Sequence, residues 1–264
     1  MGNAATVHHL YTGLLLCTLT LGCEPAVEPK VPCSPCAPVT ATAAVDTPPA
    51  PASAPISYGE ALTDAQTALP SEVVKDLVAI APGQSDLVWK GEGESQRVLT
   101  VTWTSYKGYD SEVGKTLPLG RETWITPAPQ LKNFCKGKAT DPKALSARLE
   151  QLLGLPAGSG KDRVVELWVL PKDLFRPCPD PEITDHECGV DFPAPSTRVS
   201  VSAEHVTWFT DLKSKSYGAQ GYPWTRLGYT YDWGGPKVGL SEFVIVKGAE
   251  IGVEKVYTTE EYCR

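Results

Sequence analysis

The sequence predicts an α+β fold, with a mostly antiparallel sheet and a few short helices, pinned by two disulfides. Three observations carry this. Short β-type runs rich in Val, Thr, Tyr and Trp outnumber helical runs along residues 57–264. The helical patterns are brief and fall early, with no regular strand–helix alternation that would signal a parallel sheet. Four cysteines, Cys135, Cys178, Cys188 and Cys263, lie in this part of the chain, an even number that suits two disulfides in an exported protein.

The elements follow in order. Pro70 and Ser71 precede Glu72-Val73-Val74-Lys75-Asp76-Leu77-Val78, which reads as a short capped helix. Arg97 to Thr104 alternates and predicts a strand, as does Glu122 to Thr126. Asp141-Pro142 forms an N-cap and first-turn pair. Leu145, Leu149, Leu152 and Leu153 then make one apolar face, closed by Gly154 and Pro156. Arg163 to Leu170 predicts a buried strand. Val199 to Ser202 and Val206 to Phe209 predict one strand or two. Ser241 to Lys247 and Val253 to Tyr257 predict a closing antiparallel pair. The four cysteines allow three pairings. The preferred one joins Cys178 to Cys188 across a short loop and Cys135 to Cys263, tying down the C-terminus.

Composition limits the functions on offer. The chain has 264 residues and a formal charge of -7, with no Lys- or Arg-rich run, so nucleic acid is not an expected partner. Beyond residue 22 the only histidines are His186 and His205, which argues against a His-rich metal site; no metal and no cofactor is expected. No Gly-x-Ser-x-Gly nucleophile elbow occurs. Gly158-Ser159-Gly160-Lys161-Asp162 departs from a phosphate-binding loop. Gly154 lies one residue too far away, and Asp162 stands where a magnesium-binding Ser or Thr belongs. The stretch from Cys178 to Asp191 is rich in carboxylates but has no calcium-loop spacing, and reads as a solvated acidic loop.

The N-terminus has its own logic. Leu14 to Leu21 is an apolar run too short to span a bilayer comfortably, and it closes on Leu21-Gly22-Cys23. This resembles the lipobox of bacterial lipoproteins, although residues 1–13 hold no Lys or Arg. The resemblance implies that residues 1–22 are a signal peptide, cleaved after Gly22. The Cys23 thiol would receive a diacylglycerol and its new amine an acyl chain. Glu24, rather than Asp, then points to the outer membrane, and the implied partner is the membrane itself, through the lipid anchor. A competing pattern, Met1-Gly2-Asn3-Ala4-Ala5-Thr6, matches N-myristoylation and implies a cytosolic protein, which suits the cysteines poorly. Residues 23–56 are rich in Pro, Ala and Thr, lack apolar periodicity, and read as an extended tether. Cys33 and Cys36 within it suit a small disulfide ring or an intermolecular link better than a redox pair, because the flanking prolines exclude the helix that would lower a thiol pKa.

The segment from Tyr217 to Gly235 concentrates aromatics and glycines. It supports a structural reading, in which these rings fill a core, and a binding reading. In the latter, exposed Trp224, Tyr229 and Trp233 stack on sugar rings while Arg226 and Asp232 make polar contacts, with an envelope glycan or protein as partner. A third reading rests on Arg121 on an early strand and Glu242 on a late one, flanking this aromatic turn. That combination resembles ADP-ribosyltransferase-like NAD-binding toxin domains. The resemblance implies that Arg121 helps hold NAD and that Glu242 stabilises an oxocarbenium-like transition state. As a whole, residues 57–264 resemble uncharacterised secreted bacterial domains, for which binding or structure is expected before catalysis.

Overall fold

A computed structural model describes residues 54–138, 141–195 and 200–264. The expected signal peptide, Cys23, the Cys33/Cys36 pair and the expected tether as far as residue 53 lie outside the described residues, as does Val199. Ten strands are described: β1 (Trp89–Lys90), β2 (Arg97–Thr104), β3 (Thr116–Pro118), β4 (Thr123–Pro127), β5 (Arg163–Val169), β6 (Leu174–Phe175), β7 (Tyr229–Asp232), β8 (Lys237–Ser241), β9 (Phe243–Ile245) and β10 (Glu250–Thr258). The helices are α1 (Tyr58–Asp64), α2 (Ala128–Cys135), α3 (Pro142–Leu152), α4 (Ala203–Ser216) and α5 (Thr259–Tyr262). The fold is α+β. One eight-stranded sheet runs β3-β10-β5-β2-β4-β9-β6, with β1 added to β2, and β7 and β8 form a separate pair; every pairing is antiparallel.

Period-two alternation divides the central strands between two cores. Val98 of β2 and Val165, Leu167 and Val169 of β5 join Ile125, Phe243, Ile245 and Ile251 on one face. Leu99, Val101, Trp103 and Val164 point to the other, where Leu131, Leu145, Leu149 and Leu152 of α2 and α3 cover them. Both disulfides form: Cys135–Cys263 links the end of α2 to the chain end beside α5, and Cys178–Cys188 closes a ten-residue separation. The Tyr262 hydroxyl donates to the Ala128 carbonyl at 2.9 Å, reinforcing the first link.

Four expectations are corrected. The helix predicted after Ser71 shrinks to one 3-10 turn, Pro70–Glu72. Beyond it the backbone is claimed by the disulfide loop, with Leu77 N–H donating to His186 O at 3.0 Å and Ile80 N–H to Ile183 O at 2.6 Å; these tertiary bonds override a weak helical preference. The strand predicted over residues 206–209 is part of α4, which begins after residue 202. Ser202 caps it by accepting from His205 N–H, Glu204 sits in its first turn, and β-branched and aromatic residues ride on it. The closing strands exist, but β9 pairs with β4 and β6 while β10 pairs with β3 and β5. Helices α4 and α5 also lie late in the chain, not early.

One irregularity positions the site. β2 and β4 pair only at Thr100–Pro127 and Val101–Thr126. Continued, that register would set Trp103 against Trp124 and Thr104 against Thr123. Instead β4 leaves β2 and pairs through Thr123, Trp124 and Ile125 with β9. Pro127, which has no N–H to offer a ladder, stands at the base of this fork.

Candidate functional site

The fork opens into a cavity of about 630 Å³, bordered by Val101 to Thr104 of β2 and Gly120 to Thr126 leading into and along β4. That size lies within the ~300–1,000 Å³ range of small-molecule sites. Further wall comes from the β2–β3 connection and β3, the α3–β5 connection, the end of α4 and the segment Tyr222 to Tyr231. Leu119, Ile125, Leu131 and Leu153 supply apolar lining.

Aromatic side chains give the cavity its character. Trp124 is 38 % exposed, Tyr222 52 % and Tyr106 57 %, and all three line the opening. Deeper in, Trp224 is 6 % exposed. Its ring meets that of Trp124 edge-on at 6.3 Å and packs against Trp208 and Phe209 of α4. Its indole N–H donates to Pro177 O at 3.1 Å, fixing the ring's orientation. Trp103 is held by its N–H bond to Thr259 Oγ1 at 3.0 Å. The cavity therefore has rigid inner rings and solvent-exposed outer ones.

Its polar groups are few. Glu242 lies between β8 and β9 at 6 % exposure, and one carboxyl oxygen, Oε1, is buried without a hydrogen-bond partner among the described residues. The β4–β9 register, extended by one step, sets Thr126 opposite Glu242, and the Thr126 hydroxyl is likewise buried and unpartnered. Unmade hydrogen bonds at buried polar atoms cost free energy, so two together in a cavity wall call for an explanation. Removal from water pushes the Glu242 carboxyl up to about 8, so it is mostly protonated at neutral pH and can donate as well as accept. Two cations border the same space: Arg121, exposed, and Lys161, half-buried. Burial lowers the Lys161 ammonium below its ordinary value, with no carboxylate offsetting the effect.

Comparison with known proteins leaves the chain without a relative to argue from. No family model matches it, and no curated protein or solved structure does. The site must be read from its own chemistry.

The sequence-predicted site residues distribute unevenly. Arg121 and Glu242 both border the cavity. Trp224 and Tyr229 line it too, but from within the core and not as an exposed platform. The Tyr229 hydroxyl donates to Glu72 O at 3.0 Å. Arg226 and Asp232 are turned into the protein, which corrects their expected contact with ligand. Arg226, at a left-handed φ of 62°, donates to Ala65 O and Gln66 O at the end of α1. Asp232 takes a bidentate pair from Arg148 at 2.8 and 2.6 Å. Trp233 is half-buried and donates to Leu155 O at 3.1 Å.

Sequence reasoning missed Tyr106, Trp124, Tyr222 and Lys161 as lining residues. Tyr222 lies in the aromatic segment that the sequence singles out, and Lys161 had been marked only as part of a failed phosphate loop. The acidic loop is occupied with its own folding: Glu182 accepts from Thr184 and Asp185 N–H, Glu187 pairs with Lys75, and the fully buried Arg176 donates to Glu182 O and Asp185 O. Among the described residues, no group of three or more His, Cys, Asp and Glu side chains is placed to hold a metal ion, and no helix is long and apolar enough to cross a membrane.

Proposed function

We propose that the chain is a lipid-anchored cell-envelope protein whose folded domain binds a small, ring-bearing ligand of saccharide type in the β2–β4 fork. The observation that carries the binding half is the pairing of an open aromatic cavity with the orphaned Glu242 carboxyl and Thr126 hydroxyl at its wall. Aromatic faces stack on the C–H faces of sugar rings, and a neutral carboxyl beside a hydroxyl supplies the donors and acceptors that ring hydroxyls need. The anchoring half is supported by the Leu21-Gly22-Cys23 box and by two disulfides, which belong to oxidising compartments. In this reading the outer membrane is the address and the Pro-rich tether holds the domain off the lipid.

Thermal denaturation of the full chain against a panel of cell-wall and other glycan fragments tests the binding half. A ligand of the native state raises the midpoint by mass action, and Trp124→Ala should abolish the rise. A midpoint that no fragment moves would reject saccharide binding.

One observation favours a second reading, an ADP-ribosyltransferase-like NAD-using domain: Arg121 and Glu242 share this cavity. The electrostatics run against it. A carboxyl held mostly neutral at pH 7 stabilises a developing cation poorly. NAD in the same panel, with release of nicotinamide followed, separates the two readings.

A further inference from the structure

We infer that the β2–β4 cavity carries an anion subsite, built by Lys161 and Arg121, so that its ligand is a ring compound bearing a carboxylate. This rests on the binding reading above and deepens it.

The argument begins with charge. In a chain of formal charge -7, several partly buried cations have a carboxylate to face. Arg148 pairs with Asp232, Arg163 with Asp110 and Asp162, and Lys237 with Asp64. Lys161 and Arg121 do not: among the described residues neither makes a hydrogen bond or an ion pair, and both line the cavity. The lining holds two carboxyl groups, and neither makes an ion pair with them. Glu242 is kept protonated by burial. Glu122 accepts from the Trp208 indole N–H at 2.9 Å, which engages it with α4.

Both cations border the cavity beside tyrosines that line it. Asp162 N–H donates to Thr104 O at 3.3 Å, which seats the Lys161 turn on the end of β2, and Tyr106 N–H donates to Thr104 Oγ1 at 3.0 Å. Tyr106 packs edge-on against Tyr109 at 5.4 Å, and the Tyr109 hydroxyl lies within the field of Arg121. Lys161 and Arg121 line the cavity together with Tyr106 and Tyr109, while Thr126 and Glu242 stand opposite each other along the extended β4–β9 register. The cavity thus offers two cations, a neutral carboxyl beside a hydroxyl, and aromatic faces. A half-buried ammonium without a counter-ion is a standing cost that an anionic ligand would remove. A carboxylate on a ring meets all three features. Uronic acid sugars and simple aryl carboxylates share this chemistry, and the test separates them.

The experiment titrates the full chain, in detergent, with a uronic acid disaccharide, the neutral disaccharide of the same linkage, and benzoate, following tryptophan fluorescence. The expected result is that the uronic acid binds about tenfold or more tighter than its neutral partner at low salt, the gain of one charge-assisted contact. That preference shrinks in high salt. Lys161→Met removes most of it and Lys161→Arg restores it, read as the ratio of charged-sugar to neutral-sugar affinity in each variant. Benzoate binding with the same Lys161 dependence, in place of the uronic acid, would support the anion subsite and assign the ligand body to an aryl ring. Equal affinity for charged and neutral sugars, or a preference that survives Lys161→Met combined with Arg121→Met, overturns the inference while leaving the binding reading intact. Silence from all three probes removes the binding reading and this inference with it.

Discussion

Replacing Glu242 by Gln should flatten the pH dependence of stability. Burial raises this carboxyl from its ordinary 4.5 to about 8 in the native state. The native protein therefore holds the proton through a pH range in which the unfolded chain has lost it. The sign follows from linkage: where the native state binds more protons, stability falls as pH rises. Glu242 costs nothing below pH 4.5, and its cost grows until about pH 8, above which both states are ionised and the cost is constant. Each pH unit in that window is worth up to a factor of ten in the unfolding equilibrium. Over the whole window the loss approaches about 5 kcal/mol, an upper limit because relaxation and hydration soften it. Gln keeps the shape and does not titrate. The Gln amide brings its own penalty at every pH, so the slope is the readout and not the absolute stability. Urea unfolding of wild type and Glu242→Gln at pH 5 and pH 8 measures it, and the contributions of other carboxyls cancel in the comparison. The variant should gain several kcal/mol on wild type between the two pH values. Equal slopes would refute the assignment of Glu242 as a buried carboxyl protonated at neutral pH.

Further outcomes follow from other contacts. Replacing Cys135 and Cys263 by Ser opens a link of 128 residues' separation and should cost about 4–5 kcal/mol by the loop-entropy account, read from the urea midpoint under non-reducing conditions. Arg148→Met leaves the Asp232 carboxylate, 3 % exposed, without its bidentate partner; a loss of roughly 3 kcal/mol is expected, partly recovered by adding Asp232→Asn. Cys23→Ala should move the protein from the membrane fraction to the soluble one, and unchanged fractionation would reject the lipid anchor.

How much of this was legible beforehand depends on what each residue answers to. The boundaries of β2 and of α3 were readable because alternation in one and an Asp-Pro start with a Gly stop in the other are local signals. The even cysteine count pointed to two disulfides, and of the three possible pairings the preferred one is the one that forms. Residues 73–80 and α4 were misread because their outcome is set by distant partners: the disulfide loop captures the first, and the aromatic packing of Phe209 and Trp208 on Trp224 uses rings that locally resemble a strand. The site shows the same divide. Arg121 and Glu242 were marked by residue type and do share a cavity. That cavity exists because β4 exchanges β2 for β9, a change of partner that no window of sequence encodes. The same exchange exposes Trp124, an unremarkable strand residue on paper. Conversely, Arg226 and Asp232 looked free for a ligand, and α1 and Arg148 had already claimed them.

The central claim is that the β2–β4 fork is a ligand site. A crystal structure with the ligand that most raises the thermal midpoint tests it most directly. The account predicts a ring seated against Trp124 and Trp224, with a polar ligand atom within hydrogen-bond distance of Glu242 Oε1. A ligand bound elsewhere, with the fork empty and Glu242 still unpartnered, would contradict it.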